Sequence, residues 1–449
     1  MQPRRFDAIV VGTGQAGPAL AQALAAAGRS VAVIERGAFG GTCVNNGCTP
    51  TKAMVASAYA AHMARRAADY GVEIAGEVRV DMRKVKARKD AIVGKSTQGV
   101  EKWMRSTQGV TVIQGHARFT GPHAIAVGDA ALEAELVFLD VGGRSARPSD
   151  AQAGGVPYLT SETVMDVDFL PEHLLVVGGS YVGLEFGQMF RRFGSRVTIV
   201  EMGPRLIARE DEDVSQAVRE ILEAEGIDIR THAKCIGLER KGDRASMSLD
   251  CSEGAPRLEG THVLWAAGRK PNTDDLGLDR AAIATDARGN ITVGEDLQTN
   301  VRGVYAPGDC NGRGAFTHTS YNDFEIVAAN LLDGEHRKVS DRITAYALYT
   351  DPPLGRAGMT EADVRRSGRR ALIGKIAMED VSRAFEKGET DGFMKILVDA
   401  DTKQILGASF LGTSGDEAIH CVLDLMYAKA PYTVFQRAVH IHPTVCEFI

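Results

Sequence analysis

The 449-residue sequence predicts an α/β chain with two dinucleotide-binding units and a C-terminal α+β unit. Three observations predict it. A strand, a GxGxxG turn, a helix, a second strand and an acid follow one another from Phe6 to Glu35. The same order returns from Leu174 to Glu201. From Thr344 the composition becomes β-rich, with helical stretches after Thr360 and after Gly415. The boundaries read from this are 1–150 for the first unit, 151–271 for the second, 272–340 for a return to the first, and 341–449 for the last.

Composition narrows the function. Hydrophobic residues make up 44% and charged residues 24%, ordinary for a soluble chain with ample core. The net charge of -6 offers no basic field to a nucleic acid. No apolar run approaches the roughly 18 residues of a membrane span. The start, Met1-Gln2-Pro3-Arg4-Arg5, passes directly into a strand with no signal-peptide core. Seven cysteines, odd in number and irregular in spacing, fit a reducing compartment. The expectation is a cytoplasmic protein with neither nucleic-acid nor membrane partners.

Phe6 to Val11 is a short apolar strand, and Gly12-Thr13-Gly14-Gln15-Ala16-Gly17 turns it into an Ala/Leu helix reaching Ala27. Pro18 is tolerated because the first turn of a helix has no bond to lose there. Ser30 to Ile34 is the second strand and ends at Glu35, 23 residues after Gly12. The glycines permit a tight turn and close approach to a pyrophosphate, the helix N-terminus supplies amide donors, and Glu35 would hold ribose hydroxyls. Residues 53–106 look helical, with Ala-rich and Arg/Lys-rich faces; Val110–Ile113, Ala124–Val127 and Leu136–Leu139 read as strands. In the second unit Leu174–Val177 leads into Gly178-Gly179-Ser180-Tyr181-Val182-Gly183, a helix to Phe193, and a strand from Arg196 that ends at Glu201, again 23 residues on. Ser180 takes the place of the middle glycine. Two nucleotides in one chain imply electron traffic, and FAD with a nicotinamide is the natural pair. Glu201 favours NADH, because a carboxylate repels a 2′-phosphate, while Arg205 and Arg209 nearby could offset that and admit NADPH.

Gly40-Gly41-Thr42-Cys43-Val44-Asn45-Asn46-Gly47-Cys48-Thr49-Pro50-Thr51-Lys52 holds two cysteines with four residues between them. Thiols this close can form a disulfide that opens and closes as electrons pass. A zinc site would want C-x2-C pairs and four ligands, and a structural disulfide would want a secreted chain. Lys52 follows Cys48 by four residues, so both face one side of a helix, where a cation favours thiolate.

This run resembles the redox-active disulfide of the FAD-dependent pyridine nucleotide-disulfide reductases, which include dihydrolipoamide dehydrogenase, glutathione reductase and mercuric reductase. The resemblance covers essentially the whole chain and implies two Rossmann-like domains, for FAD and NAD(P), with a C-terminal dimerisation domain. It implies that Cys48 is the flavin-facing sulfur and Cys43 the interchange sulfur, with Lys52 paired to Glu185. Gly12, Gly14, Gln15, Ala16, Gly17, Glu35, Arg36, Gly41, Thr42 and Lys52 would line the FAD site. Gly115-His116-Ala117-Arg118-Phe119 resembles the segment whose backbone holds the adenine, through Ala117. Val141-Gly142-Gly143-Arg144 stands where relatives carry A-T-G, with Gly142 replacing Thr. Val304-Tyr305-Ala306-Pro307-Gly308-Asp309 resembles the segment whose aspartate reaches the ribityl or phosphate region. Gly178, Ser180, Tyr181, Gly183, Glu201 and Gly268 would serve the nicotinamide nucleotide, Tyr181 as the ring that covers the flavin. The ending His440-Ile441-His442-Pro443-Thr444-Val445-Cys446-Glu447 matches H-P-T-x-x-E, whose histidine is an acid/base held by the glutamate and reaching the disulfide of the other subunit. A homodimer follows from that. Cys310 reads as a small packing residue, and Cys446 as a small buried cysteine with a third thiol near the active site as the alternative.

The expected substrate is a small-molecule disulfide, a thiol or a metal thiolate. Mercuric reductases carry a C-terminal Cys-Cys pair and lack the H-P-T-x-x-E histidine, whereas this sequence has no Cys-Cys and keeps His442. Alternatives are Hg(II) or other metal-ion reduction, quinone reduction directly from the flavin, a flavin-based redox sensor, and a structural protein with a degenerate flavin site.

Overall fold

The computed structural model describes residues 2–242, 244–250 and 256–449. The chain divides into two compact units, each assembled from three segments. The first comprises Met1–Ala53, Lys84–Ala146 and Gly268–Arg342; the second comprises Met54–Arg83, Arg147–Ala267 and Ile343–Ile449.

In the first unit, strands Val110–Gln114, Val31–Glu35, Arg4–Val11 and Ala130–Leu139 lie side by side in parallel. Ala124–Val127 and Ala117–Gly121 extend the sheet as antiparallel strands, and Val304–Tyr305 pairs in parallel with Ala130–Leu139. Alternation along each strand fills two cores. Ile9, Ile34, Val137 and Leu139 pack with Phe119 on one face; Val10, Val33 and Phe138 pack with Leu20 and Leu24 of helix Gly17–Ala26 on the other. A parallel sheet covered on both faces reads as continuous apolar strands, which is why these were legible.

One expectation needs correction. The stretch 53–106 is not one helical region. Helix Cys48–Arg65 and a short 3-10 turn, Ala67–Tyr70, come first; helix Met82–Ser106 starts again after residues without helix. Gly71, at φ +73°, closes the first part, and Asp81 restarts the helix by accepting the Arg83 N–H at 3.1 Å.

In the second unit, Asp228–Arg230, Arg196–Val200, His173–Val177, His262–Trp265 and Leu159–Thr160 form a wholly parallel sheet, with helix Tyr181–Phe193 packed on it. A three-stranded antiparallel meander, Gly237–Lys241, Arg244–Ser248 and Arg257–Gly260, follows the same core. The C-terminal sheet is antiparallel, in the order Ala345–Leu348, Leu354–Gly358, Ile405–Leu411, Phe393–Asp399 and Ala371–Ala377. Helix Gly415–Tyr427 lies across it.

Buried charge joins the nucleotide fold of this unit to its C-terminal sheet. The Lys395 ammonium, 2% exposed, donates to Asp213 at 2.7 Å, Glu361 at 2.7 Å and Asp211 at 3.1 Å. Burial alone would lower its pKa; the three carboxylates outweigh that and hold it above the ordinary lysine value. Arg356, equally buried, stands 3.4 Å from Glu210 and 3.7 Å from Asp211. A second row runs along helix Tyr181–Phe193. Glu185 accepts the Tyr349 N–H at 3.0 Å, Gln188 accepts the Asp351 N–H at 2.8 Å, and Arg192 pairs with Asp351 at 2.5 Å and Glu225 at 2.7 Å.

Replacing Lys395 with Met removes the buried cation shared by Asp211, Asp213 and Glu361, of which Asp213 keeps Lys375 at 2.8 Å. Removing one partner of a buried ion pair costs about 3–5 kcal/mol. Urea denaturation of Lys395→Met is expected to show a loss in that range, and no loss would show the network to be stability-neutral.

Candidate active site

The two cysteines belong to consecutive helices, Gly41–Asn46 and Cys48–Arg65, broken at Gly47. A Cβ at Gly47 would stand 2.7 Å from the Thr42 carbonyl oxygen, so the break requires glycine. The loop is tied from within. Asn45 donates to the carbonyls of Phe39 and Gly41, both at 2.9 Å, and its Oδ1 accepts from Thr97 at 2.8 Å. Both cysteines are in the thiol form. The hydrogen bond with Cys48, then burial, push the Cys43 thiol well above the ordinary range. The Cys48 sulfur lies 3.3 Å from the hydroxyl of Thr317, the first residue of helix Thr317–Ala328. The sequence reading did not name Thr317. Lys52 follows Cys48 by one turn on the same helix.

The glycine turn of this unit is held by its acid. Glu35 Oε2 accepts the Thr13 N–H at 2.9 Å and the Thr13 hydroxyl at 2.6 Å, and Oε1 accepts the Gly37 N–H at 2.8 Å. A Cβ on Gly17 would fall 2.5 Å from the Gly12 carbonyl, so helix and strand approach as only glycine permits. Gln15 donates to the Gly40 carbonyl at 3.4 Å, and Thr42 donates to the Gly143 carbonyl at 3.2 Å. Gly12, Gly14, Gln15, Ala16, Gly17, Gly41, Thr42 and Gly143 thus belong to one connected neighbourhood. Arg36 instead extends to Asp275 at 3.2 Å on the exposed edge, where His116 also meets the Asp275 carbonyl at 3.1 Å. Ala117 is buried at the start of an edge strand.

Asp323 organises the second wall. It accepts the Gly308 N–H at 2.8 Å and the Asn311 amide at 3.0 Å, and pairs with Arg342. Asp309 receives the Ser320 hydroxyl at 3.2 Å, and burial raises its pKa. Between the walls lies Asp140, unnamed by the sequence reading. Its Oδ2 accepts the Gly17 N–H at 2.7 Å, and its Oδ1 stands 2.9 Å from where a Gly308 Cβ would be. Burial pushes it up to about 8 despite the Gly17 N–H, which lowers it. A carboxyl amid apolar glycine turns gives no sequence signal.

In the second unit the same construction recurs. Glu201 accepts the Gly179 N–H at 2.6 Å and the Gly203 N–H at 2.7 Å, and a Gly183 Cβ would lie 1.9 Å from the Gly178 carbonyl. Ser180 is extended, at φ -105° and ψ 179°, which explains why a non-glycine is accepted there. Tyr181 opens the helix, and Gly268, at φ +107°, receives the Ala146 N–H of the first unit's own strand segment at 3.0 Å. At the C-terminus, His442 Nδ1 is 3.0 Å from both oxygens of Glu447. A carboxylate only accepts, so Nδ1 donates and Nε2 keeps its lone pair. The imidazole is 70% exposed, so that lone pair is accessible. His440 is spent on the Phe435 carbonyl at 3.1 Å.

Residues 6–323 match the pyridine nucleotide-disulphide oxidoreductase family, and residues 344–449 match its dimerisation domain. The chain belongs to the pyridine nucleotide-disulfide oxidoreductase family. It is 32% identical to a mercuric reductase of Streptomyces lividans, over 98% of this chain and 94% of that one. It is 31% identical to a dihydrolipoyl dehydrogenase of Thermus scotoductus, over 99% and 96%. The flavoprotein disulfide reductase RclA of Escherichia coli, described as HOCl-induced, superposes with a TM-score of 0.89 at 31% identity, over 98% of each chain.

Members of this pyridine nucleotide-disulfide oxidoreductase family use FAD and a nicotinamide nucleotide, and the first unit fits FAD. The turn is opened by glycines that a Cβ would fill, and Glu35 retains acceptor capacity for a ribose. Asp140 sits under that turn, and a neutral carboxyl there spares a phosphate the repulsion of a buried anion.

The Asp140 value lies above its unfolded reference of 3.8, so the folded state holds the extra proton and stability falls as pH rises from about 4 to about 8. Asp140→Asn keeps the acceptor for Gly17 and removes the titration. Its melting temperature is expected to exceed that of the parent by a margin that widens from pH 5 to pH 8 and then levels; a margin independent of pH would contradict the assignment.

Proposed function

We propose that this oxidoreductase passes electrons from NADH through FAD to the Cys43–Cys48 pair and on to a small-molecule disulfide. The observation that carries the reading is the break at Gly47, which brings two thiols together beside the glycine turns of the FAD-type unit. Bound FAD supplies a two-electron relay between the nicotinamide and the sulfur pair. Gly12, Gly14, Ala16 and Gly17 would accommodate its pyrophosphate, Glu35 its ribose, Ala117 its adenine, and Gly308 and Asp309 its ribityl chain. Lys52, with Glu185, Gly41, Thr42 and Gly143, would complete the flavin side. Gly178, Ser180, Gly183 and Gly268 would take the nicotinamide nucleotide, with Tyr181 as the movable ring.

Cys43 is the interchange thiol. Its raised pKa leaves it protonated at neutral pH, so attack on a substrate disulfide needs a base. His442 of the partner subunit, oriented by the partner's Glu447, would take the proton on Nε2. Cys43 then bonds one substrate sulfur and the other leaves as thiolate, taking the proton back. Cys48 then loses its proton and displaces the first substrate sulfur, which takes that proton and leaves as a thiol as the Cys43–Cys48 disulfide closes. A homodimer follows, supported by the matched dimerisation domain and by exposed Val434, Val439 and Ile441 beside His442. A cytoplasmic location belongs to the same reading.

NADH is favoured over NADPH. Glu201 stands where a 2′-phosphate would come, and Arg205 is committed to the carbonyls of Ala208 at 3.2 Å and Glu210 at 3.1 Å. Metal-ion reduction is the second reading, favoured by a Cu(II) complex of the Escherichia coli RclA, which superposes with a TM-score of 0.90 at 32% identity.

A turnover panel with NADH or NADPH against lipoamide, glutathione disulfide, quinones, and Hg(II) or Cu(II) with thiol tests these readings. Disulfide turnover is expected to dominate and to vanish in Cys43→Ser. His442→Ser is expected to lose about 10²–10⁴-fold in that turnover while the nicotinamide still bleaches the flavin. Undiminished turnover in either variant rejects the path. Glu201→Ala is expected to narrow a preference for NADH; a parent that prefers NADPH would reverse that assignment.

A further inference from the structure

Cys446 sits inside the terminal H-P-T-x-x-E segment, one residue before the glutamate that holds His442. Its sulfur lies 3.7 Å from that of Cys421, 25 residues earlier on helix Gly415–Tyr427, and both are in the thiol form. Two cysteines from separate elements are thus in sulfur–sulfur contact, half-buried and within reach of small reagents. Nothing in the proposed electron path uses them.

We propose that Cys421 and Cys446 are a second dithiol, which small-molecule disulfides oxidise to an intrachain bond distinct from the Cys43–Cys48 pair. A disulfide needs its sulfurs about 2.05 Å apart, so closure from contact asks for an approach of roughly 1.7 Å. The thiolate of one cysteine attacks a sulfur of R–S–S–R and forms a mixed disulfide, and R–S⁻ leaves. The second thiolate attacks the protein sulfur of that mixed disulfide and the remaining R–S⁻ leaves. Two electrons pass to the small disulfide, which ends as two thiols, and the protons of Cys421 and Cys446 are taken up by the leaving thiolates.

The placement gives the bond a consequence. Val445 and Cys446 pack against the core that also holds Val422, so the segment is already seated beside the helix. Closing the bond staples the residue next to Glu447 to that helix and fixes the carboxylate that orients His442. Burial, and then Cys421 beside it, push the Cys446 thiol up to about 11, so exchange is slow at neutral pH. The pair therefore closes under sustained oxidation and takes no part in each turnover.

The test treats the FAD-loaded protein with glutathione disulfide, or with oxidised dithiothreitol, and maps peptides after alkylation. A peptide pair joined through Cys421 and Cys446 is expected, reopening with dithiothreitol. It is also expected in the Cys43→Ser/Cys48→Ser variant, where failure of the main electron path has no bearing on the result. In Cys421→Ser, Cys446 is expected to end as a glutathione adduct. The proposal is overturned if both thiols remain alkylatable after Cys43–Cys48 has closed, or if the parent yields only glutathione adducts at these positions.

Discussion

Both nucleotide folds depend on one contact: a carboxylate at the end of the second strand that accepts the amide of the glycine turn. Glu35 grips Thr13 and Gly37; Glu201 grips Gly179 and Gly203. The turns bring helix and strand so close that no side chain fits between them, which leaves their amides short of water. The acid satisfies those amides and fixes the shape of the turn. The two folds then diverge at an equivalent place. A Cβ on Gly12 would meet the carbonyl of Asp140, and a Cβ on Gly178 would meet that of Ala266. An ionisable residue thus stands under the first turn where the second has a methyl group.

The second unit is held by charge as much as by apolar packing. Lys395 and Arg356 lie within the junction of the nucleotide fold and the C-terminal sheet, ringed by Glu210, Asp211, Asp213 and Glu361. Each ion pays a large desolvation cost that its neighbours offset only in one arrangement. Such a junction tolerates little sliding, so the sheet that carries the His442 segment keeps a fixed register on the fold that carries Glu201.

Much of this was legible in the sequence because the signals were local. Apolar parallel strands, glycine turns and strand-end acids occur within short windows, and the pattern occurs twice. The cysteine run and the terminal histidine motif were equally local. What was hidden was set by distant contacts. Asp140 looks like any strand-end polar residue until the fold places it beneath Gly17. Thr317 acquires meaning only from Cys48, 269 residues away in sequence. Arg192, which carries no local signal in the sequence, is a buried tie between Asp351 and Glu225. The break after Tyr70 was missed because the helical patterns on either side were read straight through the Gly71–Asp81 connection, where Gly71 and Gly76 both take positive φ.

Helix Tyr181–Phe193 is bolted along its length to the segment Tyr349–Asp351 through Glu185, Gln188 and Arg192. Its shaft cannot tilt without tearing several buried polar bonds at once. The aromatic ring at its head, Tyr181, therefore stands on a rigid post. Movement of that ring relative to the helix is rotation about its own side-chain bonds, which leaves the surrounding scaffold in place.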